Sequence, residues 1–181
     1  MKPISRLLEP LRQRIMLLVA RSVLKIVNDD PGLQRVQVAV LAKETRDNVE
    51  RFQQYGFSSH PLPGAEGICL FMAGNRDHPV VISIDDRRYR PRGLNAGETI
   101  LYTFEDEPEG RHRFHLKNNQ DAELNLGRDL LNEIGRDVTE NVGRDVTQDV
   151  GRNETITVGE TMKIEAGTKI ELVCGASKIV L

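Results

Sequence analysis

From Leu126 to the end of the chain, apolar residues recur on even-numbered positions with a period of eight. Leu126, Ile134, Val142, Val150, Val158, Ala166 and Cys174 each stand directly before a glycine, and those glycines are Gly127, Gly135, Gly143, Gly151, Gly159, Gly167 and Gly175. An α-helix advances about 100° per residue, so eight residues leave a drift of about 80° and no lasting stripe, while a coiled coil requires seven or eleven. A strand alternates faces with a period of two, so eight residues return each apolar side chain to the same side. Leu130, Val138, Val146, Met162 and Ile170 extend that apolar face, and Ile156, Ile164, Leu172 and Val180 join it in the later octads. Asp129, Thr139, Thr147, Thr155, Lys163 and Glu165 lie on the other face.

Such a strand cannot stand alone, because its backbone donors and acceptors need partners and its apolar face needs cover. The segment contains no hairpin dipeptide such as Asn-Gly and no helical stretch to lie over it, so other chains are expected to supply both. A glycine at each octad suits a tight corner at positive φ or a close approach without Cβ. Identical strands wound about one axis give the simplest closed solution and leave no exposed edges.

The pattern upstream is different. Ile4, Leu7, Leu8, Leu11, Ile15 and Leu18 have the spacing of one helical face within residues 1–21. Pro10 fits a first helical turn, which predicts an ordered helix starting near Glu9. That helix either packs on its own domain or docks on a neighbouring subunit. Strands are predicted over Ser22–Asn28 and Leu33–Leu41, separated by the turn Asp29-Asp30-Pro31-Gly32, then over Gly67–Ala73, Val80–Ile84 and Glu98–Phe104. These five suit a small barrel within residues 22–120. Residues 42–66, with Pro61 and Pro63, are expected to form an inserted loop or short helix, anchored to the barrel or to a neighbour by Phe52, Tyr55 and Phe57. Arg111–Lys117 is a further strand, and Asn118–Glu123 a polar bridge into the octads of residues 121–181.

The segment Glu50-Arg-Phe-Gln-Gln-Tyr-Gly-Phe-Ser-Ser-His-Pro-Leu-Pro-Gly-Ala-Glu66, followed by Gly74-Asn-Arg-Asp-His78, Asp86-Arg-Arg-Tyr-Arg-Pro91 and Gly97-Glu98 leading into Leu101-Tyr102, resembles the phage Mu central spikes of the baseplate assembly protein V family. The resemblance runs over nearly the whole chain. It implies a mainly β fold: an N-terminal helix, a small OB-fold barrel, and an intertwined triple-stranded β-helix built by three chains. It also implies a structural, non-enzymatic role in the baseplate of a contractile tail, attached to the hub and driven through the host outer membrane, after synthesis and assembly in the host cytoplasm. Leu11, Ile15 and Leu18 are the expected docking residues. Mu-like members carry a His-x-His iron site at the apex of the spike. This chain has no histidine after His115, so no iron-binding residue carries over and no cofactor is expected within residues 1–181; the apex is either outside the chain or lacking in this member.

Composition narrows the picture further. At 181 residues and 20.4 kDa the chain suits one or two domains, and aromatics at 4% with no Trp leave little for a large core, so assembly is expected to supply stability. Residues 121–181 hold 7 Lys/Arg against 12 Asp/Glu, whereas residues 1–120 hold 18 against 15. An acidic shaft argues against a nucleic-acid partner, and the barrel strands lack the basic, aromatic-rich face of an OB-type nucleic-acid binder. A receptor-binding or polysaccharide-degrading tailspike would use paired carboxylates or aromatics in a groove, and the octads contain no aromatic residue. Cys69 and Cys174 make no disulfide framework, and the run Ile15–Ala20 is too short for a membrane span. Neither a nucleophile elbow nor a His-Glu-x-x-His motif is present, and His112 and His115, three apart on a strand, point to opposite faces. The repeated Gly-Arg-Asp at 127–129, 135–137 and 143–145 offers ion pairs near the corners that contribute little singly.

If the glycines are structural, Gly143→Val lowers the melting temperature of the assembly at every symmetry-related corner, while Thr147→Val on the outer face leaves it nearly unchanged. Parallel thermal melts of the two variants check the contrast.

Overall fold

The computed structural model describes residues 4–41, 44–106, 108–175 and 177–180. The side chains of Ile4, Leu7 and Val180 lie outside the described residues, as does Leu181. The chain divides into two compact units, Met1–Leu131 and Asn132–Leu181.

The first unit opens with α1, Ile4–Met16, which carries Pro10 in its interior. The helix therefore starts earlier than Pro10 predicts. The leucine pattern continues on both sides of the proline, and the helix forgoes the bond that the missing N–H would have given to the carbonyl four residues back, whose oxygen the ring also crowds.

Five strands then close a barrel: β1 (Val19–Asn28), β2 (Arg35–Leu41), β3 (Glu44–Arg51), β4 (Glu66–Phe71) and β5 (Pro79–Asp85), in the order β1-β2-β3-β5-β4. β1 pairs antiparallel with β2 across the Asp29–Gly32 turn and with β4 from Val19↔Leu70 to Val23↔Glu66. The parallel pair β3–β5, through Glu50↔Val80 and Arg51↔Val81, closes the ring. A register shift between Leu24 and Ile26 lets β1 bend to serve both neighbours. Leu24, Val36, Val38, Val49, Ala65, Cys69, Phe71 and Val81 fill the interior, and alternation along β4 sends Gly67, Cys69 and Phe71 inward. Among the described residues Phe71 is the only aromatic of that core, so close packing of aliphatic side chains does most of the filling.

Two expectations for this unit need correction. Residues 42–66 do not form only a loop or short helix, since Glu44–Arg51 is a barrel strand. Its sequence, ETRDNVER, hides the alternation because Val49 and Arg51 alone are buried and Asn48 adopts a φ of 53°. Nor does Glu98–Phe104 supply the fifth barrel strand. Thr99–Tyr102 is β6, the first strand of a separate antiparallel sheet with β7 (His112–Leu116) and β8 (Ala122–Leu126). The expected polar bridge 118–123 is accordingly a tight turn over Asn118–Gln120 running into β8.

At the rim of the barrel, Glu44 accepts from Arg46 and from Arg76, and Arg76 lies 4.3 Å above the Phe71 ring. The hydrogen bond from Arg76 does most to hold the Glu44 carboxyl below the ordinary glutamate range.

In the second unit, the chain bends at Gly135-Arg136, Gly143-Arg144, Gly151-Arg152, Gly159-Glu160 and Gly167-Thr168, and the residues between these bends, up to 170, belong to no helix or strand. Among the described residues 127–170 none joins a hydrogen-bonded ladder. The last octad departs from the expectation of an unbroken strand without a hairpin: β9 (Glu171–Cys174) pairs antiparallel with β10 (Ser177–Val180) across Gly175, whose φ is 54°. The other six octad glycines do not adopt the left-handed conformation, so positive φ is not what they supply.

Gly67 marks the tightest backbone approach in the barrel, because a Cβ there would meet the Ser83 carbonyl oxygen at 2.9 Å. Gly67→Ala is expected to cost about 1–3 kcal/mol by forcing β4 and β5 apart, whereas Gly32→Ala, facing open space, leaves stability unchanged. Thermal denaturation of both variants measures the difference.

Candidate functional site

The sheet β6-β7-β8 has two unlike faces. In one, Leu101, Phe114 and Leu124 stand in a single cross-strand row, flanked by Thr99, Leu116 and Ala122 on one side and by His112 and Leu126 on the other. These side chains are largely uncovered, with Leu101 at 60%, Phe114 at 41% and Leu124 at 53% exposure. The opposite face carries Ile100, Tyr102, Arg113 and His115, and is the more buried of the two. Burial raises the Tyr102 phenol above its ordinary value. His115 lies 3.5 Å from the Glu98 carboxylate. That carboxylate is held low chiefly by the Asn95 side-chain amide, helped by the Asn95 backbone N–H.

A buried carboxylate locks the turn between β6 and β7. Asp106 is fully enclosed, and its Oδ1 accepts from the His112 backbone N–H at 3.2 Å and from Arg113 Nε at 2.7 Å, while Oδ2 accepts from Arg113 Nη2 at 2.6 Å. Its carbonyl accepts from the Gly110 N–H at 2.6 Å. This two-pronged pairing fixes where β7 starts, and thereby which of its residues face outward.

A second buried ion organises the loop after β3. Arg51, only 7% exposed, donates to Gln34 Oε1 at 2.5 Å, to the Ser59 carbonyl at 2.7 Å and to Ser59 Oγ at 2.9 Å. Burial pushes its guanidinium below the ordinary value, and the Asp29 charge opposes that shift. Gln53 Oε1 accepts from the Ser59 N–H at 2.8 Å and ties the loop's two ends together. Of the two expected anchors for the loop's aromatic residues, the barrel is not one, since Phe52, Tyr55 and Phe57 are exposed, and the neighbouring protomer stays an expectation. Polar bonds to Arg51 hold it instead, a signal that a lone arginine in a polar stretch does not announce in sequence.

Of the expected docking residues, Leu11 and Ile15 are exposed on α1 together with Leu8, and Leu18 is half-buried just before β1. The Leu18 carbonyl accepts from the Phe71 N–H at 2.9 Å, which ties the end of the helical segment to the barrel. Along the octads the apolar positions stand open: Leu130, Ile134, Val138, Val142, Val146, Val150, Val158 and Met162 are all exposed. A Cβ added at Gly135, Gly143, Gly151, Gly159 or Gly167 would meet nothing in its own chain within 4 Å. At Gly127 it would make ordinary contact with Arg111 at 3.6 Å.

The two histidines of β7 lie on opposite faces of the sheet. On β7 His112 lies on the face of Phe114 and Leu116, where its Nδ1 pairs with Thr103 Oγ1 at 2.5 Å, and His115 lies on the reverse beside Glu98. His60 stands 3.8 Å from Asp29 in a separate loop. Among the described residues no group of three or more His, Cys, Asp or Glu could hold a metal ion.

A closed five-stranded barrel followed by a glycine-octad strand matches the class read from the loop motifs, a Mu-type baseplate spike protein. Residues 21–88 match the family model described as Bacteriophage Mu Gp45, N-terminal. The chain is 42% identical over 113 residues to the baseplate puncturing device gp45 of Escherichia phage Mu, an alignment covering 62% of this chain and 55% of that protein. It is 40% identical over 124 residues to the Mu-like prophage FluMu protein gp45 of Haemophilus influenzae, covering 68% of this chain and 65% of that one. The chain thus spans less than two thirds of the length of these relatives.

Asp106→Ala removes three hydrogen bonds centred on one buried carboxylate. A loss of about 3 kcal/mol is expected, together with faster amide exchange across residues 99–126 than in the barrel. Denaturant titration and hydrogen-exchange mass spectrometry measure the two effects.

Proposed function

We propose that this chain is a structural component of the central spike in a contractile phage tail baseplate, that three copies assemble into it, and that its octads form an intertwined triple-stranded β-helix. The observation that carries this reading is the open apolar face on the even-numbered octad positions, which meets no ladder and no cover in its own chain. The name of the Mu relative, a baseplate puncturing device, supports the same role. The barrel, of OB type by its β1-β2-β3-β5-β4 order, attaches to the hub, and the shaft is driven against the host outer membrane.

The action is mechanical and calls on no cofactor or reaction. In a closed assembly each backbone group of the shaft finds a partner in another chain, and the apolar faces merge into one seam. Axial load is then shared by many octads, so that opening at one is resisted by its neighbours. The glycines have their reason here too. With no clash inside the protomer and no left-handed φ, what they supply is room for the backbones of other chains.

Size-exclusion chromatography with light scattering tests the assembly, and about three times the chain mass of 20.4 kDa is the expected result. A stable monomer or dimer at micromolar concentration would overturn the β-helix reading. Attachment is assigned to the exposed stripe of α1 and its end, Leu11, Ile15 and Leu18. A chain carrying Ile15→Asp and Leu18→Asp is expected to assemble through its octads yet to be missing from tail particles. Spike occupancy by quantitative immunoblot reads this out, and normal occupancy would move attachment to the barrel loops.

A further inference from the structure

We infer that the surface receiving α1 is an acidic groove of a partner protein in the baseplate, whose apolar floor takes Leu8, Leu11 and Ile15 and whose walls carry carboxylates that pair with Arg12 and Arg14. The inference rests on the proposed attachment through α1 and adds the chemistry of the partner to it.

The stripe has the spacing of a helix laid in a groove. Leu8, Leu11 and Ile15 follow one another at three and four residues, and each is more than half exposed. The helix leaves the barrel from a fixed point, because the Leu18 N–H donates to the Ile15 carbonyl at 3.2 Å and the Leu18 carbonyl accepts from the Phe71 N–H at 2.9 Å. Charge then selects the partner. Residues 1–16 hold four Lys/Arg against one Asp/Glu, a net of +3, whereas residues 17–181 hold 21 against 26, a net of −5. The excess of positive charge thus sits on the helical segment of a chain that is otherwise acidic, and it favours a negatively charged surface. At about 100° per residue, positions 12 and 14 fall on opposite sides of the stripe of Leu8, Leu11 and Ile15. Arg12 is exposed, and among the described residues no carboxylate pairs with it. A guanidinium on either side of an apolar stripe suits carboxylates on two walls, which it can engage through paired hydrogen bonds. An anionic membrane also accepts basic helices. A membrane-surface helix, however, takes aromatic anchors on its apolar face, and residues 1–21 contain no Trp, Tyr or Phe. The aliphatic stripe with its two flanking arginines therefore points to a protein groove.

The test compares two full-chain variants by light scattering and then by their occupancy in tail particles, read by quantitative immunoblot. Arg12→Glu with Arg14→Glu is expected to reach the same assembled mass as the unaltered chain and to fall at least about tenfold in occupancy, because like charges across an interface repel strongly. Arg12→Lys with Arg14→Lys keeps both charges and is expected to stay within about twofold of the unaltered chain. Normal occupancy of the Glu pair overturns the acidic groove, while attachment through α1 is decided separately by the chain carrying Ile15→Asp and Leu18→Asp. Equal loss in the Glu and Lys pairs also overturns it, since a helix that tolerates no change at 12 and 14 is not reading charge. A Glu pair that fails to reach the assembled mass assigns α1 to a neighbouring copy. Co-sedimentation of the unaltered chain with phosphatidylglycerol vesicles, lost in the Glu pair, assigns it to a lipid surface. Either of these two results overturns the protein groove.

Discussion

The decisive constraint in this molecule is a strand that cannot satisfy itself. Among the described residues, the backbone over 127–170 joins no ladder, and exposed apolar residues recur along it on even-numbered positions. Neither condition is sustainable in water, because unpaired peptide groups and uncovered apolar surface both cost free energy. The alternatives are collapse or assembly. An eight-residue period returns the pre-glycine residue to the same face in every octad.

The first unit needs no such help for its core. Its barrel is closed, its interior is filled by eight residues at or below 2% exposure, and its ring is completed by the short parallel contact of β3 with β5. Two buried ions give this unit its outward form. Arg51 fixes the loop that displays Phe52, Tyr55 and Phe57, and Asp106 fixes the turn that sets the faces of the second sheet. Both work because a charge taken out of water must be nearly fully hydrogen-bonded, which leaves the segments around it little freedom to rearrange.

Much of this was legible from residue order. The octads, the turn at Asp29–Gly32, four of the five barrel strands and the loop motifs of the Mu-type family could all be read directly, since each is local: a period, a dipeptide or a short string. The failures share a cause. Glu44–Arg51 carries a buried arginine where an alternating strand would show an apolar residue, and Thr99–Tyr102 has the pattern of a barrel strand although its partners lie in another sheet. Pro10 suggested a helix start that the neighbouring leucines override.

The sequence by itself determined the period of the shaft, the parity of its apolar face and the positions of its glycines, because these depend only on which residues follow one another. Tertiary structure alone decided which strands close the barrel, that Gly175 turns the chain into a hairpin, and that the remaining octad glycines sit at ordinary φ. Pairing and backbone conformation follow from what lies across the ladder, and that neighbour is distant in sequence.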